Sequence, residues 1–156
     1  MKNIIYIFLV SMVPLIELRG AVPMGAVLGL PWYINYPICI IGNMLPVPII
    51  LFFVGAVLKW MLTCKVSLFN KVSDFIYRKA DKHKNKIEKG GFVALMLFVG
   101  IPLPGTGAWT GALVAALLGM KKKHSIFAIF LGILIAGIIM GTVSYLSVDA
   151  FNAMFG

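Results

Sequence analysis

The chain has 156 residues, 61% of them hydrophobic and only 12% charged, with a mean hydropathy of +1.00 and a formal charge of +9. A soluble domain carries about a quarter charged residues, so composition excludes an ordinary soluble fold and places the chain in a membrane. The basic charge does not indicate nucleic acid, because nine basic residues fall within 59–89 and three more are Lys121, Lys122 and Lys123, which is loop charge between apolar runs.

Four apolar stretches follow one another: 4–30, 34–58, 92–119 and 125–148. Each exceeds the roughly 20 residues a helix needs to cross a bilayer. The first follows Lys2 and begins like a signal peptide, but no small-x-small cleavage site comes after it, so it reads as part of the mature chain. It is interrupted by Pro14, Arg19-Gly20 and Pro23, and it holds Glu17 and Arg19, the only charges between Asn3 and Val57. Each would cost about 2.5–3.5 kcal/mol at the bilayer centre on insertion scales, so their retention marks a candidate site. In an extended, broken segment residues two apart share a side, and a break at Arg19-Gly20 lets both face one cavity. The bland alternative is a self-neutralising pair.

The second stretch carries "GNMLPVP" at 42–48. Pro46 and Pro48 free backbone carbonyls and kink a helix. Two readings stand for Asn43, an interhelical hydrogen bond or a place on a cavity. The linker 59–91 has apolar residues at Val66, Phe69, Val72, Phe75 and Ile76, a spacing that predicts an amphipathic surface helix with its lysines near anionic lipid head groups. Cys39 and Cys64 have no metal or redox spacing and read as packing or interfacial thiols.

The third stretch is broken by "IPLPGTGAW", 101–109. In both broken stretches the two arms are about ten residues long, roughly 15 Å as helix, and reach only mid-bilayer. Charge placement favours a re-entrant hairpin in each case. With 59–91 in the cytoplasm, a third stretch that crossed would put Lys121, Lys122 and Lys123 outside, whereas a hairpin keeps them inside and misplaces Lys2 alone. The predicted fold is therefore an all-α integral membrane protein. It has a first repeat in 1–58 (hairpin 4–30, span 34–58), a linker 59–91, and a second repeat in 92–148 (hairpin 92–119, span 125–148). "VPL" at 13–15 and "IPL" at 101–103 open the two breaks; "GAVPMGAVLG" at 20–29 and "GAWTGALVAALLG" at 107–119 close them. Two halves inserted from opposite faces form an inverted repeat with both termini outside.

The second arm of each hairpin begins at mid-membrane, where a helix N-terminus makes an anion site. Gly105 and Gly107 permit close approach there, Thr106 is placed to cap the following arm, and Pro23 reads as an early-turn proline of the other hairpin. Trp109 and Thr110 stand where they can line a cavity, although Trp109 suits a lipid-facing position equally. The hairpins offer no Ser/His pair and no second acid, and His83 and His124 lie at basic loops, so neither an enzyme nor a bound metal or cofactor is expected.

The motifs "IELRGAVPMG", "GNMLPVP" and "PLPGTGAWTGAL", in this order, resemble the small multidrug export protein family, a short relative of the DedA-like (VTT) membrane proteins. The resemblance covers most of the chain outside the linker. It implies paired re-entrant hairpins, movement of lipids such as undecaprenyl phosphate and phospholipids between leaflets, and a link to the proton gradient. It puts the acidic position on Glu17, its basic neighbour on Arg19, and the second tip on Pro102, Pro104, Gly105, Thr106 and Gly107. DedA proteins carry arginines near the second hairpin; this chain has none between Gly90 and Met120. The expectation is a transporter or flippase for an amphipathic, anionic, lipid-like substrate. Its site is Glu17, Arg19, Gly20, Pro23, Asn43, Pro102, Pro104, Gly105, Thr106, Gly107, Trp109 and Thr110, with Glu17 as the proton-coupling or gating carboxylate and with Arg19 and the second hairpin's N–H groups receiving the head group. So few spans enclose little volume, which favours a homo-oligomer. The alternatives are efflux of hydrophobic drugs and a structural scaffold without transport.

Overall fold

The computed structural model of the chain describes residues 2–63, 84–103 and 105–155. All regular structure among them is helical: α1 (Lys2–Met12), α2 (Glu17–Val27), α3 (Trp32–Met44), α4 (Pro46–Thr63), α5 (Lys84–Gly100), α6 (Ala108–Leu117) and α7 (Lys122–Phe155). Among the described residues two segments are long and apolar enough to cross a membrane, Trp32–Val54 and Lys122–Met154. The first of these is α3 and α4 with a single non-helical residue, Leu45, between them. Pro46 follows directly and has no N–H to continue the ladder. Many large apolar side chains face outward, among them Val27, Tyr33, Phe53, Leu146 and Met154, as expected where lipid is the solvent. The core uses small residues instead. Ala21, Ala108, Ala112, Ala115 and Ala128 are fully buried, which lets backbones approach closely where apolar lipid gives little hydrophobic drive between helices.

The first break occupies residues 13–16, less than the Pro14-to-Pro23 interruption the sequence suggests. Arg19, Gly20 and Pro23 are all inside α2, and Pro23 is its seventh residue rather than an early-turn proline. A proline there loses one ladder bond, and its surroundings are stapled from outside: Asn35 Nδ2 donates to the Val22 carbonyl (2.9 Å) and to Tyr145 Oη (3.1 Å), and Tyr145 donates to the Leu30 carbonyl (2.5 Å). The turn itself places Leu15 (φ 78°) and Glu17 (φ 51°) in the left-handed region. The second break includes 101–103 and 105–107, with glycines at the corresponding strained positions, Gly105 (φ 82°) and Gly107.

The two second arms end alike. Leu30 N–H bonds to Gly25 O and Gly29 N–H to Ala26 O, while Met120 N–H bonds to Ala115 O and Gly119 N–H to Ala116 O. Both are Schellman closures on a left-handed glycine. The two first arms also cross their following spans alike. A Cβ on Gly42 would run into the Phe8 carbonyl and Ser11; one on Gly132 would run into the Met96 carbonyl and Val99. α2 packs on α7, and α6 packs on α4.

Boundaries differ from the sequence expectation in a consistent direction. α1 begins at Lys2, α5 at Lys84, and the last span continues past Val148 to Met154, because helices run on through polar ends that hydropathy discards. The first span starts at Trp32 and its apolar part ends at Val54. Val66, Phe69, Val72, Phe75, Ile76 and Cys64, on which the amphipathic-linker and second-thiol expectations rest, lie outside the described residues. Cys39 is a buried free thiol.

Candidate functional site

The site forms where α2 meets the second break. Glu17 is 5% exposed, and its carboxylate accepts the backbone N–H groups of Ala108 (3.2 Å) and Trp109 (3.0 Å). These are the first residues of α6, whose opening N–H groups have no partner within their own helix. Thr106 does not perform that capping. Its hydroxyl lies toward the carbonyls of Ile101 (3.0 Å) and Leu103 (2.9 Å), and the cap of α6 comes instead from a residue 91 positions upstream. The approach depends on Gly107, where a Cβ would collide with the Glu17 carboxylate.

Arg19 serves the other side of the same break. Its guanidinium donates to the carbonyls of Val99 (3.3 Å), Ile101 (3.2 Å) and Leu103 and to Thr106 Oγ1 (2.7 Å). These acceptors belong to the last turn of α5 and the chain leaving it. A cation at a helix C-terminus and a carboxylate at a helix N-terminus each meet a macrodipole end of opposite sign. Glu17 and Arg19 are two apart on a continuous helix, so they diverge and grip the two lips of the break. The sequence reading put both on an extended, broken segment; they stand on helix α2 instead, and both still line one small cavity.

Trp109 adds the reciprocal contact: its indole N–H donates to the Met12 carbonyl at the end of α1 (3.2 Å). Asn43 is 3% exposed, and its Oδ1 has no partner among the described residues. It lines a small cavity with Glu17, Leu18, Arg19, Val99, Gly107, Ala108, Ile133 and Ala136; the volume is about 10 Å³, close to the minimum for one water.

The structure thus brings Glu17, Arg19, Asn43, Thr106, Gly107 and Trp109 together. Gly20 and Pro23 are interior residues of α2; Gly105 is exposed; Pro102 is half-buried; Thr110 Oγ1 lies over its own turn, 3.4 Å from the Gly107 carbonyl. Pro104 lies outside the described residues. Sequence reasoning missed Asn35, fully buried in the Val22–Tyr145 network. Its signal was available, an amide in an apolar run, but it stood at the edge of the expected span. Among the described residues no cluster of His, Cys, Asp or Glu could hold a metal ion.

Fold and site together define a small helical membrane protein whose polar groups are concentrated where two helical segments break. The family model described as "Putative small multi-drug export protein" matches residues 17–139, and the chain belongs to that family. No curated relative and no solved structure shows a match to the chain.

Proposed function

We propose that the protein is a non-enzymatic membrane transporter of amphipathic molecules with an anionic, lipid-like head group, and that Glu17 is its coupling carboxylate. One observation carries this reading: the N-terminus of α6 already holds an anion, the carboxylate of Glu17, on two backbone N–H groups in a buried setting. That seat suits any oxyanion. Protonation of Glu17 weakens its hold on the N–H groups and frees them for a carboxylate or phosphate head group; deprotonation returns the tethered carboxylate and expels the substrate. Proton and anion are thereby linked. Arg19, with its N–H groups on backbone carbonyls, positions the second break rather than receiving the head group.

The architecture proposed with this function is an inverted repeat of two re-entrant hairpins and two spans, as in the DedA-like proteins. Three features support it. α1 and α6, with 11 and 10 residues, are about 15 Å long, half of a roughly 30 Å hydrocarbon core. Gly29 and Gly119 close equivalent arms 90 positions apart, and Arg19 and Trp109, also 90 apart, each cap the first arm of the opposite half. Lys121, Lys122 and Lys123 fall on the same side as the 59–89 basic residues only in this topology, which puts both termini outside and the linker against anionic cytoplasmic head groups. The small cavity and modest size favour a homo-oligomer.

The test is leaflet transfer of a labelled lipid phosphate in proteoliposomes across a pH series. Wild type should transfer with a pH dependence that Glu17→Gln abolishes while remaining folded. Arg19→Ala should lower the rate at every pH. A folded Glu17→Gln/Arg19→Ala protein with wild-type transfer and pH dependence would remove the reading. The second reading, efflux of hydrophobic drugs, is favoured by the family description. Proton-driven uptake of a hydrophobic cation by the same vesicles, lost in Glu17→Gln, with no lipid transfer, would put it first.

A further inference from the structure

The arms α2 and α6 are alike in length and in their glycine closures, but they are held differently. α2 is stapled in its second half. Asn35 Nδ2, from α3, donates to the Val22 carbonyl (2.9 Å) and to Tyr145 Oη (3.1 Å), and Tyr145, from α7, donates to the Leu30 carbonyl just past the arm. Ser125 stands 90 positions after Asn35 and is equally buried, yet its hydroxyl turns back to the Lys121 carbonyl (3.2 Å). Among the described residues, the hydrogen bonds that tie α6 to other elements are all at Ala108 and Trp109. From Thr110 onward the arm is held by packing alone, through small residues such as Gly111, Ala112 and Ala115.

Close packing does not separate the arms, since Gly25 lies against Asn35 and Gly111 against Val99 with no room for a Cβ on either. In a bilayer, apolar contact between helices trades against contact with lipid at little net cost, so interhelical hydrogen bonds decide which arm is fixed. We propose that α6 is the moving arm of the molecule and α2 the fixed one, with Glu17 as the latch on the tip of α6. When the carboxylate lets go of the Ala108 and Trp109 N–H groups, α6 swings about its closure at Gly119. The Trp109 indole on the Met12 carbonyl is then its remaining tether among the described residues, while α2 stays on α3 and α7. The seat for a head group thus opens by movement of its N–H donors and not of the carboxylate. The inference rests on the transport reading for the use of this motion, and on the hydrogen bonds alone for which arm moves.

The experiment is hydrogen–deuterium exchange of the full chain in liposomes, read by mass spectrometry as protection factors for 21–27 and 111–117. Each segment is the other's control. In wild type, 21–27 should be protected at least about tenfold more than 111–117, the equivalent of one net hydrogen bond. Tyr145→Phe keeps the ring beside Trp32 and removes the bonds from Asn35 and to Leu30; protection of 21–27 should fall about tenfold and that of 111–117 should hold. Glu17→Gln should do the reverse, lowering 111–117 about tenfold and sparing 21–27. Equal protection of the two arms in wild type, or greater protection of 111–117, overturns the assignment. So does a folded Tyr145→Phe protein with 21–27 unchanged, and a folded Glu17→Gln protein with 111–117 unchanged overturns the latch. Should either variant misfold, the wild-type comparison decides. None of these results touches the lipid-transfer assay, and failure of that assay would leave both protection factors as measured.

Discussion

The two breaks do the same geometric job with different materials. Residues 17 and 107 open the second arms, and residues 19 and 109 sit two positions further along in each. The first break is followed by Glu17 where the second has Gly107, and by Arg19 where the second has Trp109. Arg19 donates to the carbonyl end of α5 as a charged fork, and Trp109 donates to the carbonyl end of α1 as a neutral indole. Glu17 and Gly107 are complements rather than equivalents, because the carboxylate occupies the space that a side chain at 107 would fill. The first break supplies side chains and accepts left-handed backbone at Leu15 and Glu17; the second supplies backbone groups and uses glycines. Two charges that would be costly in lipid are tolerable because helix ends of opposite sign await them.

Gly107→Ala strikes this asymmetry hardest. Its methyl would displace the Glu17 carboxylate and strand two N–H groups, a loss of about 3 kcal/mol, measured as thermal unfolding of the detergent-solubilised chain. Arg19→Lys comes next, at about 2 kcal/mol, because one ammonium cannot reach acceptors spread from Val99 to Thr106 as a planar fork does; Trp109→Phe, which removes one neutral hydrogen bond, should cost about 1 kcal/mol. That order in the same unfolding assay would show that charge, and not position alone, sets the strength of the caps. The smallest effects should have opposite signs. Gly105→Ala, with open space around its Cβ but φ at 82°, should destabilise by about 1 kcal/mol, and Leu15→Gly should stabilise by a similar amount. Leu15 is 96% exposed, and lipid replaces whatever apolar contact it gives up.

The helical class, the apolar stretches and the second break were legible, because Pro-Gly-Thr-Gly stops a helix on local grounds alone, even inside an apolar run. The first break was harder to locate. Gly20 and Pro23 are helix-disfavouring on local grounds, yet α2 runs through them, with Asn35, 12 residues after Pro23, donating to the Val22 carbonyl beside it. Tertiary hydrogen bonds of this kind leave no local trace. Glu17 and Arg19 stood out by cost alone, but their targets did not, since Ala108 and Val99 contribute only backbone atoms and any residue would have supplied them. Asn43 was visible as an amide; its missing partner was not.

The length of α7 has a consequence for the surrounding bilayer. Thirty-four residues rise about 51 Å, against a hydrocarbon thickness of roughly 30 Å. Tilt alone would have to exceed about 50° to hide that length, beyond the usual range of about 0–40°. The polar residues bracket a shorter band: His124 and Asp149 enclose 24 residues, or about 36 Å, which fits at a tilt near 35°. The last turns, with Phe151 and Met154 exposed, are then left at the interface. Hydrophobic mismatch becomes a property of this one helix, and membranes of different thickness should set its inclination and, through its packing on α2, the angle at which Glu17 meets the start of α6.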